Sequence, residues 1–171
     1  LPALFRPVHT DFSRRIYQIL LPEDHTVPSL VENYPIVEAN SLLTAHRWRE
    51  AINAYHRIMA GDNSDTQYLA AIGLGWAFLQ SGQTEDALAA WKVAAEVASE
   101  PQPYALQGEI HAMRGEYGKA LGTYQQAVAL SPGNSGYQSR LGDVYYALGR
   151  VDRTGTAYES AAAATARPES T

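Results

Sequence analysis

The chain has 171 residues, 46% of them hydrophobic with an Ala-rich second half, enough for one ordinary globular core or a short repeat array and too apolar for general disorder. Eighteen acids against 13 bases give a formal net charge of −5, and no basic cluster exceeds the pairs Arg14-Arg15 and Arg47/Arg49, so nucleic acid is not an expected partner. There is no Cys, which excludes disulfides, thiolate catalysis and Cys-bearing zinc sites but leaves the compartment open between cytoplasm and periplasm.

The chain begins at Leu1 rather than Met, as a processed or excised piece would, and no apolar run approaches the ~20 residues of a membrane span. A signal peptide or membrane tether upstream stays open. Residues 1–31 form an N-terminal helix and linker. Phe12, Ile16, Ile19 and Leu20 fall at helical spacing behind the capping residue Asp11; Pro22 ends the helix, and Pro22 to Pro28 reads as a loop. This amphipathic helix either packs as a cap on the first repeat or is the end of a linker from another domain or an anchor.

From residue 32 onward a pattern returns about every 34 residues. Gly82 is followed by Ala87-Leu88, Trp91 and Ala94; Gly115 is followed at the same spacing by Ala120-Leu121, Tyr124 and Ala127. The spacing recurs downstream at Gly149, Tyr158 and Ala161, and upstream at Trp48, Ala51, Tyr55 and Ile58. The units divide at 32–67, 68–100, 101–134 and 135–168, leaving a polar tail over 169–171. Each splits into two helices, A and B. Gly82, Gly115 and Gly149 end the A helices because Gly enters the left-handed region without a Cβ penalty. His46 holds that place in the first unit, where the turn is the least well specified. Acids follow at Glu85-Asp86 and Glu116, suited to the start of a B helix. Asp62 to Asp65, Pro101-Gln102-Pro103 and Ser131 to Asn134 are the breakers between units.

These positions resemble the tetratricopeptide repeat family, whose pattern has a small residue at position 8, Gly near 15, Ala at 20, an aromatic at 24, Ala at 27 and Pro at 32. The third unit matches best, with Tyr104, Gly108, Gly115, Tyr117, Ala120, Tyr124, Ala127 and Pro132. The second offers Leu74, Gly75, Phe78, Ala87, Trp91 and Ala94. The fourth offers Leu141, Gly142, Tyr145, Tyr158 and Ala161 but has Thr154 where Ala is usual, and the first offers Ala39, Leu42, Ala51, Tyr55 and Ile58. Physically, small residues at 8, 20 and 27 let the two helices approach closely while the aromatic fills the space left. The resemblance implies an all-α, right-handed superhelical solenoid whose inner groove is lined by the A helices.

The resemblance also implies which side chains face that groove. They are Asn33, Ile36, Asn40 and Leu43 in the first unit, and Leu69, Ile72, Trp76 and Leu79 in the second. The third contributes Glu109 and Met113, and the fourth Asp143 and Tyr146. The lining is apolar at one end and mildly acidic at the other. Trp76 is the strongest candidate anchor, because Leu74 and Phe78 already supply the buried stripe and a wet Trp is costly. The other reading of Trp76 is packing against a neighbouring A helix. Chaperone-binding members of the family grip a C-terminal carboxylate with Lys, Arg and Asn from successive A helices. Here only Asn40 and Arg140 suit such a role, while Ile72, Gly73, Ala105 and Glu109 do not, so an apolar or weakly basic segment is the better expected ligand.

No other chemistry is written in the chain. His9, His25, His46, His56 and His111 form no metal-ligand spacing, and no nucleophile elbow or phosphate loop appears. No metal, cofactor or enzymatic activity is expected. The expected function is a protein-interaction scaffold or adaptor that holds a partner protein or peptide in its groove. A structural or assembly subunit of a larger, membrane-tethered or soluble complex, meeting partners through its terminal faces, is the alternative; a regulatory module cut from an enzyme is a third. No solvating helix follows the Ala-rich stretch 157–166, so either the chain has been cut, that face tolerates water, or a partner or second copy covers it, with self-association as one outcome.

Overall fold

The structure, a computed structural model, describes residues 35–61 and 63–166. The expected N-terminal helix, the loop after it, Asn33 and the polar tail lie outside the described residues. Among the described residues there are eight helices and no strand. They are α1 (Pro35–Thr44), α2 (Trp48–Met59), α3 (Ser64–Gln80), α4 (Thr84–Val97), α5 (Pro101–Met113), α6 (Tyr117–Leu130), α7 (Ser135–Ala147) and α8 (Val151–Thr165). Each packs chiefly on its neighbours in sequence, and α1 also reaches α3. The result is four helical hairpins stacked as a solenoid, with α1, α3, α5 and α7 as the A helices.

The four A-to-B turns share one geometry. His46, Gly82, Gly115 and Gly149 have φ of 59°, 82°, 74° and 70°. The amide after each donates back five residues, Arg47 to Leu42, Gln83 to Phe78, Glu116 to His111 and Arg150 to Tyr145, at 2.8 to 2.9 Å. This is the Schellman pairing that satisfies the last carbonyls of a helix. The first turn therefore forms with a His in the left-handed region, a place His occupies more readily than most side chains. Its ring also meets Trp48 edge-on at 4.8 Å.

Helix starts follow local chemistry too. Asn63 Oδ1 accepts from the amides of Asp65 and Thr66, so α3 begins at Ser64, four residues ahead of the expected unit start at 68. Asn134 Oδ1 accepts from the Tyr137 amide at the start of α7, and α5 starts on Pro101, whose missing N–H costs nothing there.

The core runs between paired helices as three clusters, two of which share Met59, Trp76 and Phe78 at their edges. Ala39, Ala51, Ala87, Ala94, Ala120 and Ala127 are fully buried, and the space between the helices they bring together is filled by Tyr55, Trp91 and Tyr124, each 1% exposed or less. Full burial of such a side chain contributes about 1.5–3 kcal/mol. The close approach is visible at Gly108, where an added Cβ would lie 2.8 Å from Thr123 Oγ1 and 3.0 Å from the Tyr124 ring. Thr154, the departure from Ala in the fourth hairpin, is buried with its hydroxyl donating to the Arg150 carbonyl at 3.0 Å. The aromatic of that last hairpin, Tyr158, is 38% exposed, because no further hairpin covers it among the described residues.

Candidate partner-binding groove

One row of side chains runs across all four A helices: Asn40, Trp76, Glu109 and Asp143. Each lies fifteen residues before the aromatic that its B helix inserts between the pair. The relation is a physical contact in three hairpins. Tyr55 Oη donates to Asn40 Oδ1 at 2.7 Å, and Tyr158 Oη donates to Asp143 Oδ1 at 2.6 Å. Trp76 and Trp91 meet edge to face with ring centroids 5.3 Å apart. Trp91 in turn donates its indole N–H to the Ile72 carbonyl at 3.3 Å, a longer bond than the usual 2.9–3.0 Å.

The C-terminal half of the row is charged. Arg140, one turn before Asp143 on α7, lies 4.0 Å from Glu109 Oε1 on α5 and 3.7 Å from Asp143 Oδ2. Burial, with Glu109 and Asp143 nearby, pushes the Tyr124 hydroxyl well above the usual phenol range. Tyr158 is pushed up to about 12, first by desolvation and then by its bond to Asp143. Both hydroxyls stay protonated at neutral pH, and that of Tyr158 serves as a donor to the Asp143 carboxylate rather than as an acid.

The twelve expected groove residues divide into four groups, with Asn33 outside the described residues. Asn40, Trp76, Glu109 and Asp143 form the row. Ile36, Leu69 and Leu79 are half-buried, with Ile36 and Leu79 packed on the core. Met113 and Tyr146 are open to solvent at 52% and 53%. Leu43 and Ile72 are corrections: they are 1% and 5% exposed and belong to the core. Leu43 and Tyr146 hold the same repeat position, but the hairpin after Leu43 covers it while nothing described follows the hairpin of Tyr146. A register carried over repeat by repeat does not carry the difference between an interior and a terminal hairpin.

The hydroxyl and indole partners of the row, Tyr55, Trp91 and Tyr158, are expected from the sequence only as fillers between helices. The constant fifteen-residue offset is the signal in the sequence for the pairing. His111 is likewise engaged, its Nδ1 2.6 Å from the Glu116 carboxylate across the third turn. Among the described residues no group of three His, Asp or Glu side chains is placed to hold a metal ion, and no helix is long and apolar enough to cross a membrane. A cleft of about 480 Å³ opens where Gln125 and Tyr145 meet Arg150 and Arg153 at the fourth turn. It lies apart from the row.

No curated protein is a detectable sequence match. Solved structures are. A structure described as MamA superposes with a TM-score of 0.62 at 25% identity, over 74% of this chain and 73% of its own. A MamA from Desulfovibrio magneticus RS-1 gives a TM-score of 0.57 at 19% identity, over 77% of this chain and 72% of that one. The second TPR of Spaghetti (RPAP3), bound to the HSP90 peptide SRMEEVD, gives 0.53 at 18%, over 70% of this chain and 97% of that one. The tetratricopeptide repeat family model matches three overlapping stretches, residues 36–105, 72–135 and 106–170. The chain therefore belongs to the tetratricopeptide repeat family, whose members are in general non-catalytic protein-interaction scaffolds.

Proposed function

We propose that this protein is a non-enzymatic scaffold or adaptor that holds a segment of a partner polypeptide in the groove lined by its A helices. The row Asn40, Trp76, Glu109 and Asp143 carries this reading. Three of its members are fixed by a contact with their own B helix, so the row is a preorganised surface rather than a set of loose side chains. Half-buried Trp76, braced on Trp91, is the anchor. Its wide, rigid face adds contact area with little entropy to lose. A peptide ligand has a precedent in the Spaghetti structure, which holds one.

The test compares the wild-type chain with Trp76→Ala. Both are used to capture partners from the source organism and the captured proteins are identified by mass spectrometry. A partner lost on the substitution, with binding weaker by about 2 kcal/mol or more in a direct titration, supports the groove. The same partners held equally by both proteins would remove it. A second reading is favoured by the last hairpin, where Tyr146, Leu148, Val151 and Tyr158 are exposed and Val151 reaches 72%. There the protein acts as an assembly subunit through its terminal face, and substitutions over 155–166, not at Trp76, release the partner.

A further inference from the structure

The groove has a polarity along its length. Half-buried Trp76 and Leu79 and exposed Met113 make its middle apolar. Beyond them Glu109 and Asp143 approach each other from adjacent A helices, with the Arg140 guanidinium between them. Its separations of 4.0 and 3.7 Å exceed the 2.7–3.2 Å of a direct hydrogen bond, so Arg140 is attracted by both carboxylates and bonded to neither. One guanidinium against two carboxylates leaves the place negative. The side chains of Glu109 and Arg140 are 32% exposed and that of Asp143 is 16%, so the charge is only partly screened by water.

The imbalance is a property of the A helices as a set. They carry Glu38, Asp65, Glu109 and Asp143 against Arg140 alone. The B helices are nearly balanced, with six carboxylates against five bases. An acidic peptide such as SRMEEVD, the ligand of the Spaghetti repeat, is poorly matched to such a lining.

Resting on the groove reading above, we propose that the segment it receives carries a Lys or Arg beside an apolar side chain. The cation enters between Glu109 and Asp143, the apolar side chain seats against Trp76, and Arg140 is the chain's own stand-in for that cation when the groove is empty. Tyr158 already donates to Asp143 Oδ1, which leaves Asp143 Oδ2 and the Glu109 carboxylate as acceptors for the incoming charge. Successive A helices lie on the order of 10 Å apart. An extended segment rising ~3.3 Å per residue therefore places its cation about three to five residues from its apolar anchor.

The experiment uses a random-peptide library displayed on phage, selected on the whole chain. Synthetic copies of the enriched peptides are then titrated against wild type and variants whose fold is verified by thermal melting. The expected winners carry Lys or Arg three to five residues from a large apolar residue, and their binding weakens with salt. Glu109→Gln with Asp143→Asn lowers their affinity by about tenfold or more, while Arg140→Met raises it by removing the competing cation. Enrichment of acidic or uncharged peptides that still need Trp76, or indifference to the carboxylate pair, overturns the charge assignment and leaves the groove standing. A fall in affinity for Arg140→Met overturns its role as stand-in. Met113→Ala serves beside Trp76→Ala should the latter fold poorly. Peptides indifferent to both, or no enriched peptide at all, would bring down the groove reading and this inference with it.

Discussion

The second and fourth hairpins use the same fifteen-residue pairing in opposite ways. In the second hairpin the pair is Trp76 on Trp91, an aromatic contact joined to two core clusters at once. In the fourth it is Asp143 with Tyr158, a hydrogen bond at the edge of the molecule. Six of the eight large apolar side chains exposed among the described residues, Met113, Leu130, Tyr146, Leu148, Val151 and Tyr158, lie in the last two hairpins. The second hairpin is thus held by burial, and the fourth trades burial for a polar contact and open surface.

The largest expected effect tests that contrast directly. Trp91→Ala removes a side chain 1% exposed and leaves a cavity facing Gly75 and Ile72, so it is expected to cost about 3–5 kcal/mol. Tyr158→Ala removes a side chain 38% exposed and is expected to cost about 1 kcal/mol, mostly its hydrogen bond to Asp143. Equal losses in denaturant melts of the two variants would mean that the two hairpins are not held differently. Next comes overpacking. Gly108→Leu drives atoms into Thr123 and Tyr124 and is expected to cost about 1–3 kcal/mol or more. Gly155 in α8 has open space where a Cβ would go, so Gly155→Ala should stabilise by a few tenths to about 1 kcal/mol.

Most of this fold was legible because its determinants are local. Gly82, Gly115 and Gly149 marked the turns through a backbone preference, and the Ala and aromatic positions marked the helix contacts through size. The start of α3 falls earlier than expected because the cap on Asn63 lies outside the repeat pattern that set the boundary. The groove was legible only in part. Trp76 is half-buried and packs on Trp91 of its own B helix and on two core clusters, where the packed reading named a neighbouring A helix. Arg140 suits a carboxylate grip by position, and that position alone could not reveal that Glu109 of the preceding hairpin would share it. Leu43 and Ile72 went to the core because burial depends on the next hairpin, which no single-repeat register contains.

The first and later turns sharpen the contrast at a smaller scale. His46 is the one non-Gly residue in the left-handed region among the described residues. That conformation costs a side chain roughly 1–2 kcal/mol, and the edge contact with Trp48 offsets part of it. His46→Gly is therefore expected to stabilise the first hairpin by about 1 kcal/mol or less. A net loss on thermal melting would show that the Trp48 contact outweighs the backbone strain.

The third turn differs from the second in a way that acid should reveal. Glu116 stands where the second hairpin has Gln83, and its carboxyl is held below the ordinary 4.5 first by the hydrogen bond with His111 and then by that with Lys119. A depressed carboxyl stabilises the folded state fully above its unfolded value, and that contribution is lost as the pH falls through the folded one. The α5–α6 turn should therefore lose amide protection as the pH drops below 4.5. The α3–α4 turn, where the neutral Gln83 amide accepts from the Ser81 hydroxyl at 2.9 Å, should change less. Hydrogen exchange expressed as protection factors separates the two turns within one protein. Glu116→Gln should bring the third turn to the behaviour of the second, because a carboxamide at that place keeps the shape and has no proton to gain. If the acid sensitivity of the third turn survives that substitution, it originates elsewhere than in the His111–Glu116 pair.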